Sequence, residues 1–450
     1  MPSQQNSKPF KIILYTVLFL GFISLFNPAF LSEEFGLKRF DLFSELKEIN
    51  PIKYDKITAE NLSDSSKTHS AYHKINSAEN GNILSDIDPQ NPNSIQEFSR
   101  KLKELKRKKR KKIRIGYFGD SMIEGDLITS EIRESLQDYF GGNGVGFVPI
   151  TSVVAGFRQT IQHEFSKDWK ELSFLDKKSK ITLPFSGHNF YANASSWVRY
   201  GVVKTKHLNQ FENIWLLYGK TQAKDAVYHN EVQLPLTGNS DFNQIQINLK
   251  DKSKAIKLQF QTHPSTPIYG CVFESDSGLI LDNYSFRGIS GLELNKMSPD
   301  FISSMQEKRS LDLLVLHYGP NLLYKPENID FSWYQKNMNK TIKYLRKQFP
   351  NTCILLIGSA DKAYRKNGKY ITAPGVAALI KVQKELAFAN DCAFLNLYET
   401  MGGEGTIARW AEKKPILAYK DYTHFNNSGA AKVGRLIHQS IMKSFYAQFK

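Results

Sequence analysis

Two short segments far apart in the chain carry the residue types of a nucleophile and its base. Ser121 closes the tripeptide Gly-Asp-Ser, and the sequence Asp-Tyr-Thr-His places Asp421 three residues before His424. At that spacing a carboxylate can accept a hydrogen bond from one ring nitrogen and leave the other nitrogen free as a base. A serine hydroxyl beside such an imidazole is an activated nucleophile for acyl transfer.

The residues around these segments predict the elements that must position them. An apolar run at 113–118 predicts a buried strand before Ser121, and the apolar stripe after it predicts a helix that ends near Phe140. Two further apolar runs, 279–286 and 311–318, end in Arg-Gly-Ile-Ser-Gly and Gly-Pro-Asn. The carboxyl ends of parallel strands line one crevice, so these loops are expected to meet there.

In this order, the segments resemble the motifs of the SGNH hydrolases, also called the GDSL family. The resemblance rests on Gly119-Asp120-Ser121, Gly291, Asn321, Asp421 and His424. It implies catalysis by Ser121, His424 and Asp421. It further implies an oxyanion hole of the Ser121 and Gly291 backbone N–H groups and the Asn321 side-chain amide. Gly288 is the alternative to Gly291, because Leu292 follows Gly291 where many members have aspartate.

Each of these residues also has a plain structural interpretation. Ser121 alone could cap a helix, and Asn321 could be a turn residue after a proline. Asp421 and His424 could form a turn before the last helix. His317, on the strand that leads to Asn321, is expected to be a hydrogen-bonded structural histidine, and it is the second choice of base. The joint presence of all the motifs favours catalysis.

The chain is predicted to have an α/β fold with an insertion. Apolar strands near 113, 281, 311, 353 and 393 predict a flavodoxin-like, five-stranded parallel sheet. Strict alternation in the middle of the chain predicts a β-sandwich or jelly roll at 155–278. The SGNH domain would thus consist of two parts, 100–154 and 279–450.

This layout is similar to that of exported peptidoglycan O-acetylesterases whose SGNH domain is interrupted by a carbohydrate-binding-module-like jelly roll. The resemblance implies removal of acetyl groups from the C6 hydroxyl of muramic acid. Aromatic side chains of the insert could stack on sugar rings if exposed, although each is expected in the core: Trp169, Tyr191, Trp197 and Tyr200. A loop before the Asp-His turn, together with Gly288, is expected to contact the substrate, with a plain linker as the alternative: Met401, Gly402, Gly403, Arg409 and Trp410.

The first hundred residues carry signals of export. Lys8 and Lys11 precede an uncharged stretch, so residues 1–32 are predicted to be a signal anchor or transmembrane segment. The preceding lysines predict a cytoplasmic N-terminus and an exported, periplasmic body, which would be secreted if the segment were cleaved. Residues 33–99 are predicted to be a polar linker.

Charge and cysteine content narrow the classes of partner. The net charge is +16, and eleven of the basic residues lie within residues 100–114. A solvated basic helix is favoured there, with contact to anionic envelope polymers or phospholipid head groups as the alternative. No aromatic residues that could stack on bases lie among these basic residues, so nucleic acid is not expected as a partner. Three cysteines without Cys-x-x-Cys spacing, and no His-Glu-x-x-His, indicate neither a metal nor a cofactor.

Three functions follow, in decreasing order of support. The first is a serine esterase that removes O-acetyl groups from an envelope carbohydrate through an acetyl-serine. The second is an O-acetyltransferase on an envelope or secreted polysaccharide, which uses the same residues and differs in the acceptor. The third is a catalytically inert glycan-binding protein.

Overall fold

The computed structural model describes residues 84–85, 91, 93–176, 183–248 and 254–447. The predicted anchor at 1–32 and most of the predicted linker at 33–99 lie outside these residues. Within the described part of the chain, no helix combines the length and the apolar character needed to cross a membrane.

The described chain contains eighteen strands and eight α-helices. The strands are β1 (Lys112–Gly119), β2 (Gly146–Pro149), β3 (Gln162–Phe165), β4 (Lys170–Ser173), β5 (His188–Tyr191), β6 (Trp197–Gly201), β7 (Asn213–Tyr218), β8 (Ala226–His229), β9 (Val232–Pro235), β10 (Asn243–Ile247), β11 (Ala255–Gln261), β12 (Ile268–Glu274), β13 (Gly278–Ser285), β14 (Leu313–His317), β15 (Cys353–Ile357), β16 (Ala363–Lys366), β17 (Lys369–Thr372) and β18 (Ala393–Leu395). The helices are α1 (Ile95–Lys106), α2 (Leu127–Phe140), α3 (Pro299–Arg309), α4 (Ser332–Gln348), α5 (Gly375–Ala389), α6 (Leu397–Met401), α7 (Thr406–Glu412) and α8 (Asn427–Ala447).

A five-stranded parallel sheet in the order β13-β1-β14-β15-β18 forms the centre of the α/β part. Alternate residues of β14 enter two different cores. Leu313 and Val315 pack with α1, α2 and α8, whereas Leu314 and Leu316 pack with α3, α4 and α5. A sheet covered on both faces needs near-continuous apolar strands, which is what the sequence shows. The predicted flavodoxin-like sheet is therefore confirmed.

Antiparallel strands fill the chain between α2 and β13. They form a sheet in the order β10-β7-β12-β5-β4, with β2 paired to β12, and a second sheet in the order β3-β6-β11-β8-β9. Side chains from both sheets share one apolar core, so the insert is a sandwich as predicted. Pairing begins with β2 at Gly146, ahead of the predicted boundary at 155. Tyr191 and Tyr200 are buried in the insert, as expected.

The basic segment 100–114 is not one solvated helix. Helix α1 ends at Lys106, and β1 begins at Lys112. Arg114 is buried and forms ion pairs with Glu274 and Asp282. The charges here compensate acidic groups from distant parts of the chain, which a single-sequence pattern does not reveal.

Candidate active site

Ser121 lies just beyond the carboxyl end of the central strand β1. The N–H groups of Ile123 and Glu124 donate to the carbonyl oxygen of Asp120 and close a turn around Ser121. The following helix does not begin until Leu127, because Gly125 and Asp126 adopt left-handed conformations with φ of 76° and 68°. Ser121 is therefore held by a turn, and the helix N-terminus lies further along the chain than the sequence pattern suggests.

Ser121, His424 and Asp421 form one hydrogen-bonded series. Ser121 Oγ lies 3.1 Å from His424 Nε2, and His424 Nδ1 lies 2.6 Å from Asp421 Oδ2. Asp421 Oδ1 accepts the N–H groups of Thr423 and His424, both at 3.0 Å. The carboxylate thus orients the ring through one oxygen and fixes its own turn through the other. This geometry leaves Nε2 as the atom that can take the serine proton.

The environment of Asp421 keeps its carboxyl group ionised. Partial burial disfavours the charge, but the hydrogen bonds from the His424 side chain and from the N–H groups of His424 and Thr423 outweigh it. Together they lower the pKa of Asp421 to about 2. A carboxylate at neutral pH can stabilise the imidazolium that forms when the ring takes a proton.

The loops after β13 and β14 meet beside the loop that carries Ser121. Gly119 pairs with Ser285 of β13 and with His317 of β14, so all three strands end at one level. Asn321 Nδ2 donates to the carbonyl oxygen of Ile289 at 2.8 Å. An amide nitrogen has a second hydrogen to donate, so Asn321 keeps one donor for a developing oxyanion.

Asn321→Ala should lower kcat by about 10²- to 10³-fold and change KM little, because a donor to the oxyanion acts mainly in the transition state. Steady-state kinetics on an acetyl ester would measure this. Asn337→Ala, a partly exposed position on α4, is the matched control. A similar loss in both variants, or a loss confined to KM, would contradict the assignment.

Gly291 and Gly288 both have positive φ, 88° and 80°, but they differ in their surroundings. A Cβ at Gly291 would lie 2.8 Å from the ring of Tyr318, whereas a Cβ at Gly288 would meet nothing within 4 Å. Both alanine substitutions carry left-handed strain of about 1–2 kcal/mol. Gly291→Ala should also displace the loop and lower kcat well beyond the effect of Gly288→Ala. Equal kcat values for the two variants would contradict the choice of Gly291.

Asp120 is buried directly before Ser121. Burial raises the pKa of Asp120 to about 6, although the N–H groups of Met122 and Gly319 and the His424 side chain oppose the shift. In the unfolded chain an aspartate ionises near pH 3.9, whereas in the folded chain Asp120 keeps its proton up to about pH 6. As pH rises from about 4 to about 6, ionisation therefore favours the unfolded state and lowers the free energy of unfolding.

Asp120→Asn should therefore stabilise the protein above pH 6, by up to about 3 kcal/mol, and have little effect below pH 4. Thermal unfolding at pH 4 and pH 8 would measure the difference. Asp126→Asn is the contrasting variant, because Asp126 is paired with Arg133 and its loss should destabilise. A gain for Asp120→Asn that is equal at both pH values would contradict the explanation.

His317 is a structural histidine, as expected. Its Nδ1 lies 2.8 Å from the Tyr117 hydroxyl. Burial lowers the pKa of His317 to about 3, so the ring stays neutral and is held by a partner outside the Ser121 series.

Part of the loop expected to contact substrate packs into the α/β core. Met401 Sδ accepts the N–H of Asp361, and Trp410 is buried against Phe425. Gly402 and Gly403 have positive φ. Arg409 donates to the carbonyl oxygens of its own loop at Gly402 and Glu404. Its part in substrate contact stays a prediction.

One residue that sequence reasoning missed is Lys362. It follows β15, and its Nζ donates to the carbonyl oxygen of Pro320 at 3.5 Å. The signal that identified Asn321, a polar residue in the loop after an apolar parallel strand, also applies to Lys362.

In the described part of the chain, no group of three His, Cys, Asp or Glu side chains could hold a metal ion.

The fold is shared with a solved structure of an esterase. A peptidoglycan O-acetylesterase superposes with a TM-score of 0.66 at 18% identity, over 81% of this chain and 99% of that one. The chain has the SGNH hydrolase fold.

Two other solved structures superpose less closely. An acetyl xylan esterase matches with a TM-score of 0.28 at 20% identity, over 35% of this chain and 79% of that one. A carbohydrate esterase family 2 enzyme with a carbohydrate-binding domain, from Corynascus thermopiles (Myceliophthora fergusii), matches with a TM-score of 0.29 at 10% identity. The match covers 61% of this chain and 99% of that one. No protein-family model and no curated protein matches the chain.

Proposed function

We propose that this protein is a serine esterase that removes O-acetyl groups from a cell-envelope carbohydrate, with peptidoglycan as the first candidate. The observation that carries the proposal is the series Ser121 Oγ, His424 and Asp421, with contacts of 3.1 and 2.6 Å. The SGNH fold around it, with an inserted β-sandwich, adds support. The body would act outside the cytoplasmic membrane. It would be tethered there by the segment 1–32, or secreted if that segment is cleaved.

The proposed reaction has two halves. Ser121 Oγ attacks the acetyl carbonyl carbon while His424 Nε2 takes the hydroxyl proton, and the carbonyl oxygen becomes an oxyanion that Asn321 Nδ2 and the N–H groups of Ser121 and Gly291 stabilise. The C–O bond to the sugar breaks, and the sugar oxygen takes the proton from Nε2. Water then attacks the acetyl-Ser121 ester by the same route and releases acetate.

Release of acetate from O-acetylated peptidoglycan by the full-length chain would test the proposal, with base-deacetylated peptidoglycan as the substrate control. We expect acetate from the first substrate alone. Acetyl groups that move to a glycan acceptor without free acetate would instead identify a transferase. Binding of glycan without turnover of any acetyl ester would identify an inert binding protein.

A further inference from the structure

The side chain of Lys362 connects two parts of the candidate active site. Its Nζ donates to the carbonyl oxygen of Pro320, the residue before Asn321. Its own backbone is fixed beside the Asp-His turn, because the N–H of Ala363 donates to the carbonyl oxygen of Tyr422 at 3.0 Å. The ammonium group therefore lies between the loop of the proposed oxyanion donor and the turn that carries the proposed base.

No acidic side chain of the described residues forms an ion pair with Lys362 within 4.0 Å. Burial lowers the pKa of Lys362, and the charge of Asp421 opposes that shift from a greater distance. The ammonium group has three hydrogens, and the contact to Pro320 at 3.5 Å is long. A half-buried cation with free donors, next to the loop of Asn321 and the turn of His424, is suited to an anionic group of a substrate.

The hairpin β16–β17 places a second cation on the face that packs against the Asp-His turn. Tyr370 stacks on Tyr422 with ring centroids 3.5 Å apart, and Arg365 lies directly opposite Tyr370 in the hairpin. Directly opposite residues share one face of a β-ladder, so Arg365 lies on the Tyr422 face. Lys366 belongs to the other face, where it pairs with Glu327.

We propose that Lys362, supported by Arg365, binds a carboxylate of the glycan substrate close to the acetylated hydroxyl. The inference rests on the proposed esterase function and narrows its substrate class to acidic acetylated glycans. A carboxylate gains more from an ammonium group that is partly shielded from water than from one at the open surface. If Lys362 served only to support Pro320, its loss would affect acidic and neutral substrates alike.

Paired substrates that differ only in the acidic group test the proposal. One pair is an O-acetylated N-acetylmuramic acid glycoside and its lactyl amide, and the other is an O-acetylated glucuronic acid glycoside and its uronamide. For the full-length chain we expect kcat/KM on an acid to exceed that on its amide by about tenfold, mainly through KM. The pair that shows the preference identifies the source of the carboxylate.

The variants separate substrate binding from support of the fold. Lys362→Met should reduce the acid-to-amide ratio to about one, Lys362→Arg should retain most of it, and Lys366→Met, on the opposite face, should leave it unchanged. Higher NaCl should reduce the wild-type ratio. An acid-to-amide ratio of one for the wild type in both pairs would overturn the inference and leave the proposed function standing. The same holds if Lys362→Met leaves the wild-type ratio unchanged. Absence of turnover even on p-nitrophenyl acetate would overturn the proposed function and the inference with it.

Discussion

Ser121→Ala should lower kcat on acetyl esters by at least about 10⁴-fold, because the variant has no oxygen to form the acetyl-enzyme. Any remaining rate would come from the oxyanion donors and from substrate binding, which stay in place. The Ser121 side chain makes one described hydrogen bond, to His424 at 3.1 Å. The variant should therefore fold and unfold like the wild type, and glycan binding should persist.

Ser303→Ala provides the matched control, since Ser303 is an exposed serine on α3. Acetate release, thermal unfolding and glycan binding would be measured for both variants. Mass spectrometry of the wild type, quenched during turnover, should find an acetyl group on the peptide that contains Ser121 and none in Ser121→Ala. Retention of more than about a tenth of wild-type kcat by Ser121→Ala would rule out Ser121 as the nucleophile.

The parallel sheet could be predicted from the sequence because its signals are local. Each of its strands is buried on both faces, so each is a short apolar run, and three of them end in chemically distinctive loops. The positions of Ser121 and Asn321 follow from that pattern. Asp421 and His424 are also local to each other, and their contact to Ser121 follows from the convergence of strand ends in one crevice.

Features that depend on distant partners were not predictable in the same way. The buried ion pairs of Arg114 join β1 to acidic residues more than 150 positions later, and no periodicity marks such pairs. The late start of α2 depends on Asp126, whose left-handed backbone is held in place by bonds from Thr129 and Arg133. Strand β2 is too short to show alternation, so its pairing with β12 was missed.

The turn that carries His424 allows a substitution that alters chemistry and leaves the turn intact. Asp421 Oδ1 accepts two backbone N–H groups, and Oδ2 accepts the ring N–H of His424. In Asp421→Asn the amide oxygen can keep both backbone bonds, while the amide nitrogen takes the place of Oδ2. That nitrogen donates to Nδ1, so the ring proton moves to Nε2, the atom that must accept the serine proton.

Asp421→Asn should therefore lower kcat by about 10⁴-fold while KM and the melting temperature stay close to wild type. Steady-state kinetics, with thermal unfolding in parallel, would measure this, and Asp300→Asn, an exposed position in the first turn of α3, is the control. Asp421→Ala removes the acceptor of the two backbone N–H groups as well, so it should also destabilise the turn. If Asp421→Asn kept near-wild-type kcat, the carboxylate would not orient the base. The result would rule out a catalytic role for Asp421 in the hydrogen-bonded series with His424 and Ser121.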